Sequence, residues 1–173
     1  MYLKLAGAAL IIFAAYLMGC QVCALYQRRV RCLEEIILGL EMFRAEVNYG
    51  LTPLPQAFQA IGKKLNKPVG TLFFDFSSFL RQGKGLSALE CWRSALEKSK
   101  PELSLKNEQM EILERLGSAW GHGDKEGQGR QISLMQELLR QALEEARAES
   151  QKNDRLWKYL GLIGGTTLVL FLF

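Results

Sequence analysis

Histidine is nearly missing from these 173 residues. His122 is the sole one, which rules out a histidine-rich metal site and would force any catalytic triad through a loop residue beside two glycines. Cysteine is scarce too: Cys20, Cys23, Cys32 and Cys91 show no framework spacing and point to a reduced chain. The Cys20-x-x-Cys23 pair has no histidine or acid near it in the sequence, so it reads as packing rather than a redox or metal pair. No segment keeps the strict alternation of a half-buried strand, so the expected fold class is all-α. Nor is there a large excess of one charge: lysine and arginine are scattered among nearly as many acids, no basic face suited to nucleic acid emerges, and the small net charge of +4 is better explained by residues flanking the two hydrophobic ends.

Charge is also absent from both ends. Residues 5–27 carry none, and as a helix they would run roughly 35 Å, enough for a hydrocarbon core of about 30 Å. Arg28, Arg29 and Arg31 follow directly, against Lys4 before, which by the positive-inside bias directs residue 28 onward into the cytoplasm. Leu17-Met18-Gly19-Cys20 resembles a lipoprotein cleavage site, but apolar residues continue past Cys20 to a basic stop, as in a helix that stays in the membrane. Residues 159–173 are uncharged as well and hold Gly161, Gly164 and Gly165, small residues that allow a neighbouring helix close approach in lipid. This second segment gives only roughly 22 Å, so it barely spans. Trp157, beside Lys158 and Tyr159, reads as an interfacial anchor. The expected organisation is an N-terminal transmembrane helix over 1–27, a cytoplasmic helical bundle over 28–155 and a C-terminal transmembrane segment over 156–173.

Between the ends, apolar residues recur at helical spacing. Val30, Leu33, Ile36, Ile37, Leu40, Phe43 and Val47 mark an amphipathic helix continuing from the first segment. Gly50 and Thr52-Pro53-Leu54-Pro55 end it, and Pro55 opens a second helix to about Lys64. A third follows Pro68 with Leu72, Phe73, Phe76, Phe79 and Leu80 on one face, and Gly83 and Gly85 break it. A fourth starts near Ser87, buries Leu89, Trp92 and Leu96, and is expected to stop at Lys100-Pro101. Ser104 is then expected to cap a fifth helix carrying Leu105, Ile112, Leu113 and Leu116, which runs into a glycine-rich turn over 117–129. From about Gln128 a long sixth helix uses Ile132, Met135, Leu139, Ala142 and Ala146 as a seam for antiparallel packing. Six helices in a bundle are the expectation. Trp92 and Trp120 read as core residues rather than interface hot spots.

The glycine cluster is the one place to look for a phosphate loop. Lys125 is followed by Glu126 where a Walker loop needs serine or threonine, the dinucleotide spacing is not met, and no strand precedes it. Carboxylate pairs lie on expected exposed faces, where nothing separates their pKa values. No enzyme, no cofactor and no metal is therefore expected.

Three stretches, in order, carry a family resemblance: residues 46–58, running Glu46-Val47-Asn48-Tyr49-Gly50-Leu51-Thr52-Pro53-Leu54-Pro55-Gln56-Ala57-Phe58; Leu116-Gly117 with Gly123-Asp124-Lys125-Glu126-Gly127-Gln128; and Tyr159-Leu160-Gly161-Leu162-Ile163-Gly164-Gly165. Together with the two terminal segments they resemble the stage III sporulation protein AB family of endospore-forming bacteria. That family is similar in its helical domain to GspF/PilC-type secretion platform proteins, and in that comparison residues 50–58 and 83–89 look like two copies of one helix start. The resemblance implies a mother-cell subunit of the sporulation channel, in the outer forespore membrane, with its central domain facing the mother-cell cytoplasm. Its implied partners are the lipid bilayer, a motor ATPase, and ring-forming and polytopic membrane subunits of the same assembly; a homo-oligomer is compatible, and nucleic acid is not implied. Candidate partner-binding residues are Tyr49, Gly50, Pro53 and Pro55 in one loop and Gly123, Asp124 and Gln128 in the other, with Gly161, Gly164 and Gly165 as membrane contacts. The alternative from another class is a membrane-anchored adaptor or regulator that binds a soluble partner.

Overall fold

The computed structural model describes the backbone over 2–49, 52–83, 85–121 and 125–172, and side chains chiefly over 19–46, 52–83, 85–120, 129–154 and 156–157. Among the described residues the fold is all-α. The helices are α1 (Tyr2–Tyr49), α2 (Leu54–Lys64), α3 (Val69–Gln82), α4 (Ala88–Leu103), α5 (Asn107–Leu116) and α6 (Lys125–Leu172), with a 3-10 turn at Gly117–Gly121. The chain divides into two compact units. One comprises Arg31–Glu144, the other Met1–Val30 with Glu145–Phe173.

In the first unit each helix boundary has a local cause. Pro53, extended at φ −58° and ψ 142°, stands before α2, and its carbonyl accepts from the Gln56 and Ala57 amides at 2.9 and 3.1 Å. At the other end of α2, Glu35 of α1 accepts from the Asn66 side chain at 2.6 Å and from its backbone amide at 3.1 Å, closing the turn into α3. Ser87 caps α4 in a reciprocal box with Glu90, the Glu90 carboxylate accepting from the Ser87 amide at 2.7 Å.

α2 and α3 lie unusually close. A Cβ on Gly70 would fall 2.5 Å from the Leu65 carbonyl oxygen and 2.7 Å from that of Gly62, so only a residue without a side chain fits. The core that results is strongly aromatic: Phe43, Phe58, Phe73, Phe76 and Trp92 are all at most 1% exposed. Phe58 is central, with ring centroids 4.8 Å from Phe43, 4.8 Å from Phe76 and 5.4 Å from Phe73. Both expected core tryptophans are buried, Trp92 at 0% and Trp120 at 4%. The expected α6 seam is buried along its length, from Ile132 through Met135, Leu139 and Ala142 to Ala146.

Three boundaries differ from those expected. Lys100-Pro101 does not stop α4, which continues through Pro101 to Leu103. A proline in a last turn forfeits one backbone bond, and burial of Leu103 at 0% exposure offsets it. Ser104 accordingly caps the C-terminus of α4, left-handed at φ 54°, and is not the N-terminal cap of α5, which begins at Asn107 without Leu105. The glycine-rich turn is also shorter than 117–129, because Gly127 and Gly129 lie within α6. Phe58 and Trp92 occupy the same offset from the first residue of α2 and α4, and their ring centroids are 6.5 Å apart.

The expected flanking membrane spans fall mostly on residues whose side chains lie outside the described set. Among the described residues, no helix is long and apolar enough to cross a membrane.

Candidate partner surface

Within the unit over 31–144, α1 and α6 run antiparallel, and two side-chain contacts give their register. Arg44 donates to Gln136 Oε1 at 3.2 Å, and Arg140 Nη2 meets Glu41 Oε1 at 2.9 Å. Three steps forward along α1 thus match four steps back along α6, and continuing that register brings Tyr49 level with about position 131. The end of α1 and the start of α6 therefore lie at one end of this unit. The helix ends that bound the two candidate loops, over 49–55 and 121–128, are thus on the same end of the unit.

One aromatic group underlies both. Trp120 closes the 3-10 turn against Phe43 and Phe58, with centroids 5.1 Å from each. Phe43 precedes the first loop on α1, Phe58 follows it on α2, and Trp120 leads into the second. Further bonds hold the margins. Ser77 donates to the Pro55 carbonyl at 2.7 Å, Thr52 to Glu46 at 3.4 Å, and the Gln131 side chain to Ser118 at 2.6 Å. Trp92 secures the end of α5 by donating from its indole to the Leu113 carbonyl at 2.6 Å, one of the acceptors a helix end leaves without an intrahelical donor.

Of the predicted contact residues, Pro53 is exposed and Pro55 half-buried at the start of α2. Tyr49 ends α1 and Gln128 lies in the first turns of α6, with side chains outside the described set. Gly50, Gly123 and Asp124 lie outside the described residues altogether. Gly161, Gly164 and Gly165 lie in α6, and their surroundings are likewise outside the described set. Sequence reasoning overlooked Ser118, Gln131 and Ser77, which tie the loop margins down. None is itself a glycine or proline, and the bonds link residues up to 22 positions apart.

The thiols of this unit are placed for packing. Burial pushes the Cys32 thiol up to about 11, and burial followed by the neighbouring Glu90 carboxylate raises that of Cys91, so both stay protonated and weakly nucleophilic near neutral pH. Among the described residues, no three of His, Cys, Asp and Glu converge in a way that would hold a metal ion.

Among the described residues the arrangement defines a class: an all-helical domain with an aromatic core, in which the end of α1 and the start of α6 share one end of the unit over 31–144. Comparison with known proteins narrows it. The family model for stage III sporulation protein AB matches residues 4–173. Stage III sporulation protein AB of Bacillus subtilis (strain 168) is 36% identical over 170 residues, which is 98% of this chain and 99% of that protein. A solved structure of stage III sporulation protein AB superposes with a TM-score of 0.68 at 35% identity, covering 72% of this chain and 97% of the solved one. The chain belongs to the stage III sporulation protein AB family.

Proposed function

We propose that this protein is a non-enzymatic, membrane-anchored subunit of a sporulation-specific channel that crosses the envelope. In this role it is a platform between a cytoplasmic motor ATPase and membrane components, in the outer forespore membrane, with its bundle facing the mother-cell cytoplasm. The partner surface is the end of the bundle that presents residues 49–55 and 121–128. What supports this most directly is the single buried aromatic group, Phe43, Phe58 and Trp120, that joins the elements leading into and out of those two loops and so holds their anchoring ends at one end of the unit. The uncharged runs over 5–27 and 159–173 supply the anchors. Exposed leucines in the second unit agree with a lipid-facing surface: Leu17 is 45%, Leu25 51% and Leu156 47% exposed.

Co-purification from detergent tests the proposal. The full chain is expected to retain the motor ATPase. Pro53→Asp with Pro55→Ser, or Gly123→Asp with Asp124→Lys, is expected to release it while helical content by circular dichroism stays unchanged. Normal retention by both loop variants would show the surface to be wrongly assigned. Cysteines placed before residue 5 and after residue 173 should both be labelled from outside the cytoplasm, and labelling of either from inside would overturn the hairpin topology.

A further inference from the structure

The net positive charge of the chain is concentrated in one place. Residues 26–30 and 147–158 hold six basic and two acidic side chains, whereas the rest of the chain, with sixteen of each, is balanced. Both stretches belong to the unit formed by Met1–Val30 and Glu145–Phe173. Within it, Arg29 meets Glu149 at 3.2 Å and lies 5.4 Å from the centroid of the Tyr26 ring. One of the two acids is thereby neutralised by a cation of the same cluster. The other, Asp154, is half-buried and engaged within the protein. Arg28 and Lys152 remain as exposed cations.

Their placement along the unit is ordered. With Arg29 opposite Glu149, Arg28 comes level with about position 150, so Lys152 lies only two residues, roughly 3 Å, further along the axis. Beyond Lys152, toward the uncharged ends, Trp157 packs on Gly19, whose Cβ position is 3.2 Å from the indole Cε3. Ion pair, exposed cations and aromatic ring thus follow one another toward the uncharged runs, which on α6 begin after Lys158, the order expected where a helix hairpin passes from water through headgroups toward hydrocarbon.

We infer that Arg28 and Lys152 form a headgroup site on this helix pair that selects anionic phospholipids over zwitterionic ones. The inference rests on the membrane anchoring proposed above. Two cations at headgroup depth, with Glu149 paired and Asp154 engaged, present uncompensated positive charge to lipid phosphates and attract those without a choline of their own.

Full-length protein in a non-ionic detergent, mixed with equal amounts of phosphatidylglycerol and phosphatidylcholine, tests this by native mass spectrometry of the retained lipid. Wild type is expected to retain phosphatidylglycerol in preference. Arg28→Gln and Lys152→Gln should each lower the ratio about five-fold, and Arg28→Lys should leave it unchanged. Equal retention of the two lipids by wild type, or an unaltered ratio in the double glutamine variant, would overturn the site. Carbonate-resistant flotation with pure phosphatidylcholine vesicles reads the anchoring separately. Flotation without a phosphatidylglycerol preference sinks the headgroup site alone, and failure to float sinks the anchoring and the site with it.

Discussion

Two parts of the unit over 31–144 are built on different physics. Around Phe58 the contacts are apolar, with Phe58, Phe73, Phe76 and Trp92 all at 0% exposure and rings meeting edge-on or tilted. Along the seam of α1 and α6, by contrast, polar pairs cross the interface. Gln136 is 3% exposed, accepts from Arg44, and keeps its own amide nitrogen without a hydrogen-bond partner. Apolar burial is strong and non-directional, whereas a buried amide contributes little net energy and is demanding in geometry. The aromatic group should therefore carry stability, while the seam carries register. That division can be tested by urea unfolding of the full chain in a mild detergent, followed by tryptophan emission.

The largest loss is expected from Phe58→Ala, which removes the ring on which α1, α2, α3 and the 3-10 turn converge. It should cost about 4 kcal/mol, and a loss under about 1 kcal/mol would mean that the core collapses without it. Next comes Gly70→Ala. Its methyl group would meet two backbone carbonyls that cannot rotate away, 2.5 and 2.7 Å from the new carbon, so α2 and α3 must separate at a cost of about 2 kcal/mol. Neutral behaviour would show that the two helices slide apart freely.

A smaller effect, about 1 kcal/mol, is expected from Ser87→Ala at the α4 cap. The same cap makes stability depend on acid. The backbone amide of Ser87, and then its hydroxyl, hold the Glu90 carboxyl below its ordinary value of 4.5. A carboxylate depressed on folding stabilises the fold above its unfolded pKa, and that contribution is lost as pH falls through the lower folded value. Glu90→Gln should therefore flatten the loss of stability below about pH 4.5, and an acid transition identical to wild type would remove Glu90 from the account.

How far all this was legible in the sequence follows from the range of each cause. Pro53, Ser87 and the spacing of Ile132, Met135 and Leu139 act within a turn or two, so the starts of α2 and α4 and the buried face of α6 could be read directly. Pro101 misled because tertiary burial of Leu103 outweighs a local penalty, and Ser104 because it adopts a left-handed conformation, φ 54°, that serine takes up only rarely. The two candidate loops were visible as separate motifs. That the helix ends bounding them share one end of the unit was not, since it depends on the α1–α6 register, fixed by pairs 92 and 99 residues apart.

The smallest effect should fall on the seam itself. Gln136→Leu removes a buried amide nitrogen that has no partner and leaves Arg44, which is exposed, to water. Neither change strands a charge, so the variant should lie within about 1 kcal/mol of wild type or be slightly more stable. What it should lose is selectivity of alignment. In a background without native cysteines, a pair placed at 41 and 140 should cross-link in preference to a pair at 41 and 136 when Gln136 is present, and that preference should weaken when it is leucine. A loss above about 2 kcal/mol with unchanged cross-linking would reverse the assignment, making the seam a source of stability and leaving its register to the apolar residues on either side.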